Sequence, residues 1–220
     1  PAVAELERRV AAGEFGALAA VHYVSANRNQ RFVPEPWYFQ TRGGRMGETL
    51  PHALCLLVRL LGPLDVEYAR ARRVGRMIGP SWLRAEQIGV DDLRVELAAQ
   101  RDGIPASLWY SFNAETPTQI LVCGEKRSAL VLPFSGIFDL PPGLAAARLA
   151  IAHRLQPRLT RWRRRLRLSR SALPLGVLGH EAQLQAFVRH LSGEGPMPQA
   201  PEEAREGVRL WAEIVARAGL

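Results

Sequence analysis

Lysine and cysteine are nearly missing from this sequence. Of its 29 basic residues only Lys126 is a lysine, and its two cysteines, Cys55 and Cys123, both sit in apolar runs. Two thiols so placed read as buried side chains rather than as a disulfide framework. No apolar run reaches the roughly 18 to 20 residues that a bilayer crossing requires. Arg59 interrupts Ala53–Leu61, and Arg148, His153 and Arg154 interrupt Leu144–Leu155. The first residues show no short basic region followed by an apolar core, so no secretory leader is expected and a cytoplasmic location is.

The glycines of nucleotide sites are missing too. A dinucleotide fold carries G-x-G-x-x-G directly after a strand, with an acid about twenty residues later. Gly13 and Gly16 do not fit that spacing, Gly43-Gly44-Arg45-Met46-Gly47 does not either, and no Walker-type lysine motif occurs. No cofactor-binding residue is therefore expected in this chain. Nor do His22, His153, His180 and His190 stand at metal-ligand spacing from a cysteine or carboxylate, so no metal site is expected. A serine elbow is absent. Cys55, three residues from His52 within a leucine-rich segment, reads as packing rather than as a nucleophile.

What is present is an ordinary globular composition: 220 residues, 47% hydrophobic and 23% charged. That length suits one domain with a substantial core. The net charge of +8 is concentrated, because nine arginines fall between positions 148 and 170 with no acid among them. Without them the remaining charges nearly balance. Such a segment is a solvated basic face, or it meets phosphate, an anionic membrane surface or nucleic acid, in that order. Trp162 is the one aromatic interleaved with these arginines, so neither nucleic acid nor a membrane is expected as the partner.

Hydrophobic spacing divides the chain into elements. A surface helix is expected over Pro1–Ala12, with Val3, Leu6 and Val10 on one face and Gly13 as its stop. Ala17–Ala26 reads as a strand, and Arg31–Arg45, with two prolines and four aromatics, as an irregular but firm loop. Leu50, Leu54, Leu57, Val58 and Leu61 mark a helix over Glu48–Leu61, which places Pro51 in the first turn. Val66–Met77 alternates loosely as a strand. Asp92–Gln100 and Ile104–Asn113 form a hairpin about Asp102-Gly103, and Gln119–Cys123 and Ser128–Leu132 form a second about Gly124–Arg127. Trp109 and Tyr110 point to opposite faces of their strand. Helical stretches follow over Leu144–Leu168, then a loop over Ser169–Gly179, then helices over His180–Leu191 and Pro201–Ala218. The last carries Val208, Leu210, Trp211, Ile214 and Val215 for docking. The class is α+β: an open, mainly antiparallel sheet with helices packed on one face, whose other face meets solvent, another domain or a second copy.

Chemistry-bearing residues cluster near the first loop. Glu48 and His52 are four apart on a helix, so both side chains share a face beside the glycine- and aromatic-rich segment. Such a pair can relay a proton at a hydroxyl or carbonyl. It can also be a helix-start carboxylate beside a partly buried histidine. Trp37 and Tyr38 can wall a substrate or seal the loop. Asn27, Arg31 and Arg42 can bind hydroxyls or an anionic group, or remain solvated.

Several motifs in order resemble the C-terminal part of the glucose–fructose oxidoreductase, inositol dehydrogenase and MocA family. Gly13-Glu14-Phe15-Gly16-Ala17-Leu18 is similar to the family's lead into the first strand of its second domain. Gly43 to His52 resembles its G-G-x-x-x-D-x-G-x-H pattern, with Glu48 in place of Asp and Leu50 in place of Gly. Cys123-Gly124-Glu125-Lys126 resembles its G-x-x-G turn, with Arg127 where a glycine is usual, and His180–Gly195 and Pro201–Ala218 resemble its closing helices. The resemblance implies that residues 1–220 form a substrate-binding and dimerisation domain. It implies that NAD or NADP binds a Rossmann domain absent from this chain, and that Glu48 and His52 are the catalytic acid and histidine. It further implies a homodimer or higher homo-oligomer through the open sheet face, and a sugar, polyol or related hydroxy compound as substrate. The alternative is a non-catalytic ligand-binding or assembly domain. Residues 144–179 follow no pattern of the family.

Overall fold

The computed structural model describes residues 2–27, 43, 44, 46–74, 90–133, 136–140 and 175–220. The chain divides into two compact units, one of Pro1–Asp139 with Pro201–Leu220 and one of Leu140–Ala200. In chain order the elements are α1 (Ala2–Ala11), β1 (Leu18–Asn27), α2 (Met46–Leu61), β2 (Leu64–Arg72), β3 (Asp92–Ala99), β4 (Pro105–Ser111), β5 (Glu115–Gly124), β6 (Ser128–Leu132), β7 (Gly136–Leu140), α3 (Leu175–Leu191) and α4 (Pro201–Ala218).

The first unit is a seven-stranded open sheet in the order β2-β3-β4-β1-β5-β6-β7. Among the pairings with a determined register, only β1 with β4 is parallel; β2–β3, β3–β4, β1–β5 and β5–β6 are antiparallel. Alternation puts Leu93, Val95 and Leu97 of β3, Leu108 of β4, Val21 of β1, and Ile120 and Val122 of β5 on one face. There they join Leu6 of α1, Leu50, Leu54 and Leu57 of α2, and Leu210 and Ile214 of α4 in one core. Arg94, Glu96, Trp109, Ser107, His22 and Leu121 point the other way, exposed or half-buried, because their neighbours in sequence fill the helix-covered face. This is the expected α+β architecture with helices on one face. Tyr110 is buried and Trp109 is not, as their alternation requires.

Both expected hairpins form. Gly103, at φ 70°, closes β3–β4 with its N–H on Ala99 O at 2.8 Å, and the Gly124 N–H on Arg127 O at 3.0 Å closes β5–β6. The structure departs from expectation where a bulge or an edge blurs the pattern. The loose alternation of the second strand comes from a register shift between Val66 and Tyr68, which leaves Glu67 and Tyr68 both exposed; the strand runs Leu64–Arg72. β5 starts at Glu115, four residues before the expected Gln119. Its Pro117 lies where the β1–β5 register shifts between Val24 and Ala26, a place where no ladder N–H is needed. β7 was not expected: five residues at the sheet edge carry too little apolar periodicity.

The helices differ at their starts. α2 begins at Met46, so Pro51 is its sixth residue and lies inside the helix, not in the first turn. The missing N–H costs one ladder bond, which the deep burial of Leu50, Leu54, Leu57 and Leu61 offsets. In α4, Leu210, Ile214 and Val215 are buried and Trp211 half-buried, whereas Val208 faces outward at 60% exposure; three or four positions per two turns are all that one helix face can bury.

In the second unit α3 begins at Leu175, so the last part of the loop expected over Ser169–Gly179 is helical. Gly176 and Gly179 cost about 1 kcal/mol each without breaking it. The helix ends in a turn in which the Gly193 N–H meets His190 O at 3.0 Å and the Glu194 N–H meets Arg189 O at 2.9 Å. The helical stretch expected over 144–168 and the arginine-rich segment lie outside the described residues. Cys55 and Cys123 are not joined in a disulfide. No described helix is long and apolar enough to cross a membrane.

Candidate functional site

α2 carries the site. Two left-handed glycines, Gly43 (φ 78°) and Gly44 (φ 58°), turn the chain into it, and the Gly47 N–H bonds Gly44 O at 3.0 Å. A Cβ at Gly43 would land on the indole of Trp211 in α4, so the start of α2 is seated on that ring. One turn earlier on α4, a Cβ at Gly207 would lie 2.5 Å from Cys55 Sγ. The Arg59 guanidinium meets Glu7 at 2.8 Å and Glu203 of α4 at 3.8 Å. Trp211 at Gly43, Gly207 at Cys55 and Glu203 at Arg59 mean that α2 and α4 run antiparallel in close contact. Cys55 is thus a packing thiol against a glycine, as its leucine-rich setting suggested.

Glu48, His52, Cys55 and Arg59 follow helical spacing along one stripe of α2. α4 covers its later half, while Glu48 and His52 are exposed. Glu48 lies in the first turn, where a carboxylate is favoured by the helix dipole. α2 leaves at Leu61 and, after Gly62-Pro63, enters β2 at Leu64, which pairs with Ala99. Glu48 and His52 lie in the N-terminal half of α2. The end of the sheet opposite Leu64 holds Asp92, Ser111 and Asn27. The side chain of Asn27, and Arg31, Trp37, Tyr38 and Arg42, lie outside the described residues.

Sequence reading missed two polar groupings on β1. On the helix-covered side, burial pushes the Tyr23 phenol up to about 12, with Tyr110 adding to the shift; hydrogen bonds of its hydroxyl with Ser25 and Thr118 oppose it. Ser25 and Thr118 share a hydrogen bond of 2.9 Å. These hydroxyls brace the β1–β5 pairing beside its register shift, at the strand's exit. On the open face His22 Nδ1 and Ser107 Oγ share a bond of 2.8 Å. The alternation of β1 marks His22 and Tyr23 as opposite-facing, but the partners come from strands some 85 and 93 residues away. Among the described residues no cluster of three metal-ligating side chains forms.

Among the described residues, the close approaches at glycine serve chain turns and packing. Gly13 and Gly16 turn α1 into β1, where a Cβ at Gly16 would lie 3.0 Å from the Lys126 side chain. A Cβ at Gly124 would strike Phe15.

Solved structures share this fold. An oxidoreductase from Thermotoga maritima aligns over 100% of this chain and 57% of its own, with 14% identity and a TM-score of 0.64. The WlbA dehydrogenase from Bordetella pertussis, in complex with NADH and UDP-GlcNAcA, aligns over 99% and 57%, with 17% identity and a TM-score of 0.63. An oxidoreductase from Agrobacterium radiobacter, in complex with NAD+, L-tartaric acid and magnesium, aligns over 99% and 59%, with 17% identity and a TM-score of 0.65. The chain thus spans less than two thirds of the length of these proteins. No curated protein sequence matches it. Residues 3–130 match the profile of the GFO/IDH/MocA C-terminal domain, and the chain belongs to that family.

Proposed function

We propose that residues 1–220 are the substrate-side and oligomerisation domain of an NAD(P)-dependent oxidoreductase acting on a sugar, polyol or related hydroxy compound. The exposed Glu48–His52 stripe in the N-terminal half of α2 carries this reading. A histidine there can exchange a proton with a substrate hydroxyl or carbonyl, and a carboxylate one turn away can orient it. Asn27, Arg31, Trp37, Tyr38 and Arg42 belong to the end of β1 and the segment that joins it to α2 and are assigned to substrate contact. The nicotinamide nucleotide belongs to a Rossmann domain outside these residues, consistent with the dinucleotides bound in the Bordetella pertussis dehydrogenase and the Agrobacterium radiobacter oxidoreductase structures. The open sheet face is assigned to pairing with a second copy.

The test is His52→Ala in the protein joined to its nucleotide domain. Turnover should fall at least about 100-fold with the thermal transition unchanged. A folded variant with undiminished turnover removes the catalytic assignment and leaves a ligand-binding or assembly domain.

A further inference from the structure

The middle of the open face is uncharged and holds one histidine. His22 lies in β1, the central strand of the seven, and is the only histidine of the described strands. Its row runs to Ser107 of β4 on one side and to Leu121 of β5 and Leu130 of β6 on the other. The adjoining rows set Val24 between Trp109 and Gln119, and Ala20 beside Cys123. All of these neighbours are half-buried, and apart from the Cys123 thiol none of them titrates. The charges of the face stand further out. β3 carries Arg94 and Glu96, opposite Trp109 and Ser107, and β2 carries Asp65 and Arg70 with the phenol of Tyr68. Strands lie about 4.8 Å apart, so the β3 pair is roughly 10 Å from β1, and its opposite signs largely cancel there. His22 Nδ1 shares a bond of 2.8 Å with Ser107 Oγ. The imidazolium carries a charge and two N–H donors, and the side chains of Ala20, Val24 and Leu121 beside it offer no acceptor.

We propose that His22 makes the pairing of two copies pH-dependent: the neutral imidazole lets two open faces close on one another, and its protonation parts them. This rests on the reading that the open face pairs with a second copy. It does not depend on the direction of the two-fold axis. A stable interface covers about 800 Å² per partner, whereas seven strands of about seven residues make a face of only roughly 29 by 23 Å. Any such interface therefore covers its middle, where His22 is. In the separate chain water solvates the imidazolium. In the pair the charge is desolvated among apolar neighbours, which is costly. The pair then binds fewer protons than two separate chains, so pairing is strongest above histidine's ordinary titration near pH 6.5 and weakens as the pH falls through it. Each pair has two such protons to shed, one per copy.

The experiment is sedimentation equilibrium of the full chain at pH 7.5 and 5.5, beside His22→Gln and His22→Leu, with circular dichroism confirming that each is folded at both pH values. The two uncharged replacements, one polar and one apolar, guard against a variant that fails through packing alone. Dissociation of the parent pair should rise at least about tenfold at the lower pH, since two protons allow up to about 100-fold, while a variant that pairs should change less than about twofold. A parent that pairs equally well or more tightly at pH 5.5, or variants that keep its pH dependence, overturn the proposal and leave assembly itself intact. A parent that stays monomeric at both pH values overturns the proposal and the assembly reading together.

Discussion

Gly43 shows how one residue without a side chain sets a site. Its φ of 78° is left-handed, and the space where a Cβ would go is filled by Trp211. Gly43→Ala should cost about 1–3 kcal/mol in urea denaturation, and a Trp211→Leu background should recover part of that loss, since the two residues couple through one contact. Additive losses would show that the ring does not seat the helix. Tyr23 offers a test of electrostatics at the same scale. Its folded-state value of about 12 lies above the ordinary 10.0, so the folded protein holds this proton more tightly than the unfolded chain. The stability this contributes is fully present below about pH 10 and is lost as pH rises toward about 12. Tyr23→Phe should flatten that alkaline decline in melts taken between pH 9 and 12; an unchanged slope would assign the decline to other groups. The i, i+4 relation of Glu48 and His52 was legible in the sequence because it is a property of one helix. The Tyr23–Ser25–Thr118 cluster was not, because its members meet only across a strand pairing whose register shifts.

At the scale of elements, β7 is the test case. It escaped the sequence reading because its five residues are partly exposed at an edge. Part of its hold on the domain is a single side chain: the buried Arg9 of α1 bonds Asp139 of β7 at 2.6 Å and Glu14 at 2.9 Å, and lies 5.2 Å from the Phe15 ring centre. The carboxylates keep its guanidinium charged against the burial that opposes it. Arg9→Met removes both ion pairs. Asp139 is more than half exposed, so the cost belongs at the low end for a broken buried pair, about 3 kcal/mol. Amides of Gly136–Leu140 should then exchange faster while those of β3 and β4 hold their protection. Uniform loss across the sheet would mean that Arg9 supports the whole core and not this strand. The β2 edge shows another device. The Arg209 guanidinium donates to Leu64 O at 2.6 Å, and the strand bulges at Glu67. Both features blunt an edge that would otherwise template further pairing.

For the molecule as a whole, the packing glycines predict that the chain alone does not hold a dinucleotide. NADH fluorescence titrated with the 220-residue chain should show no binding below about 1 mM, and tight binding would place a cofactor site within these residues after all. The sequence by itself determined the α2 and α4 faces, the two hairpins and the α+β class, because periodicity and turn chemistry act between residues close in the chain. It likewise determined that Glu48 and His52 share one helix face. Only the tertiary structure decided that β1, first in sequence, lies at the centre of the sheet, parallel to β4 and antiparallel to β5. It alone decided that Pro117 sits at a register shift, and that Arg70 and Arg94 stand side by side on the open face. These depend on pairings between segments far apart in sequence, whose energies appear only once the core on the other face has fixed the register.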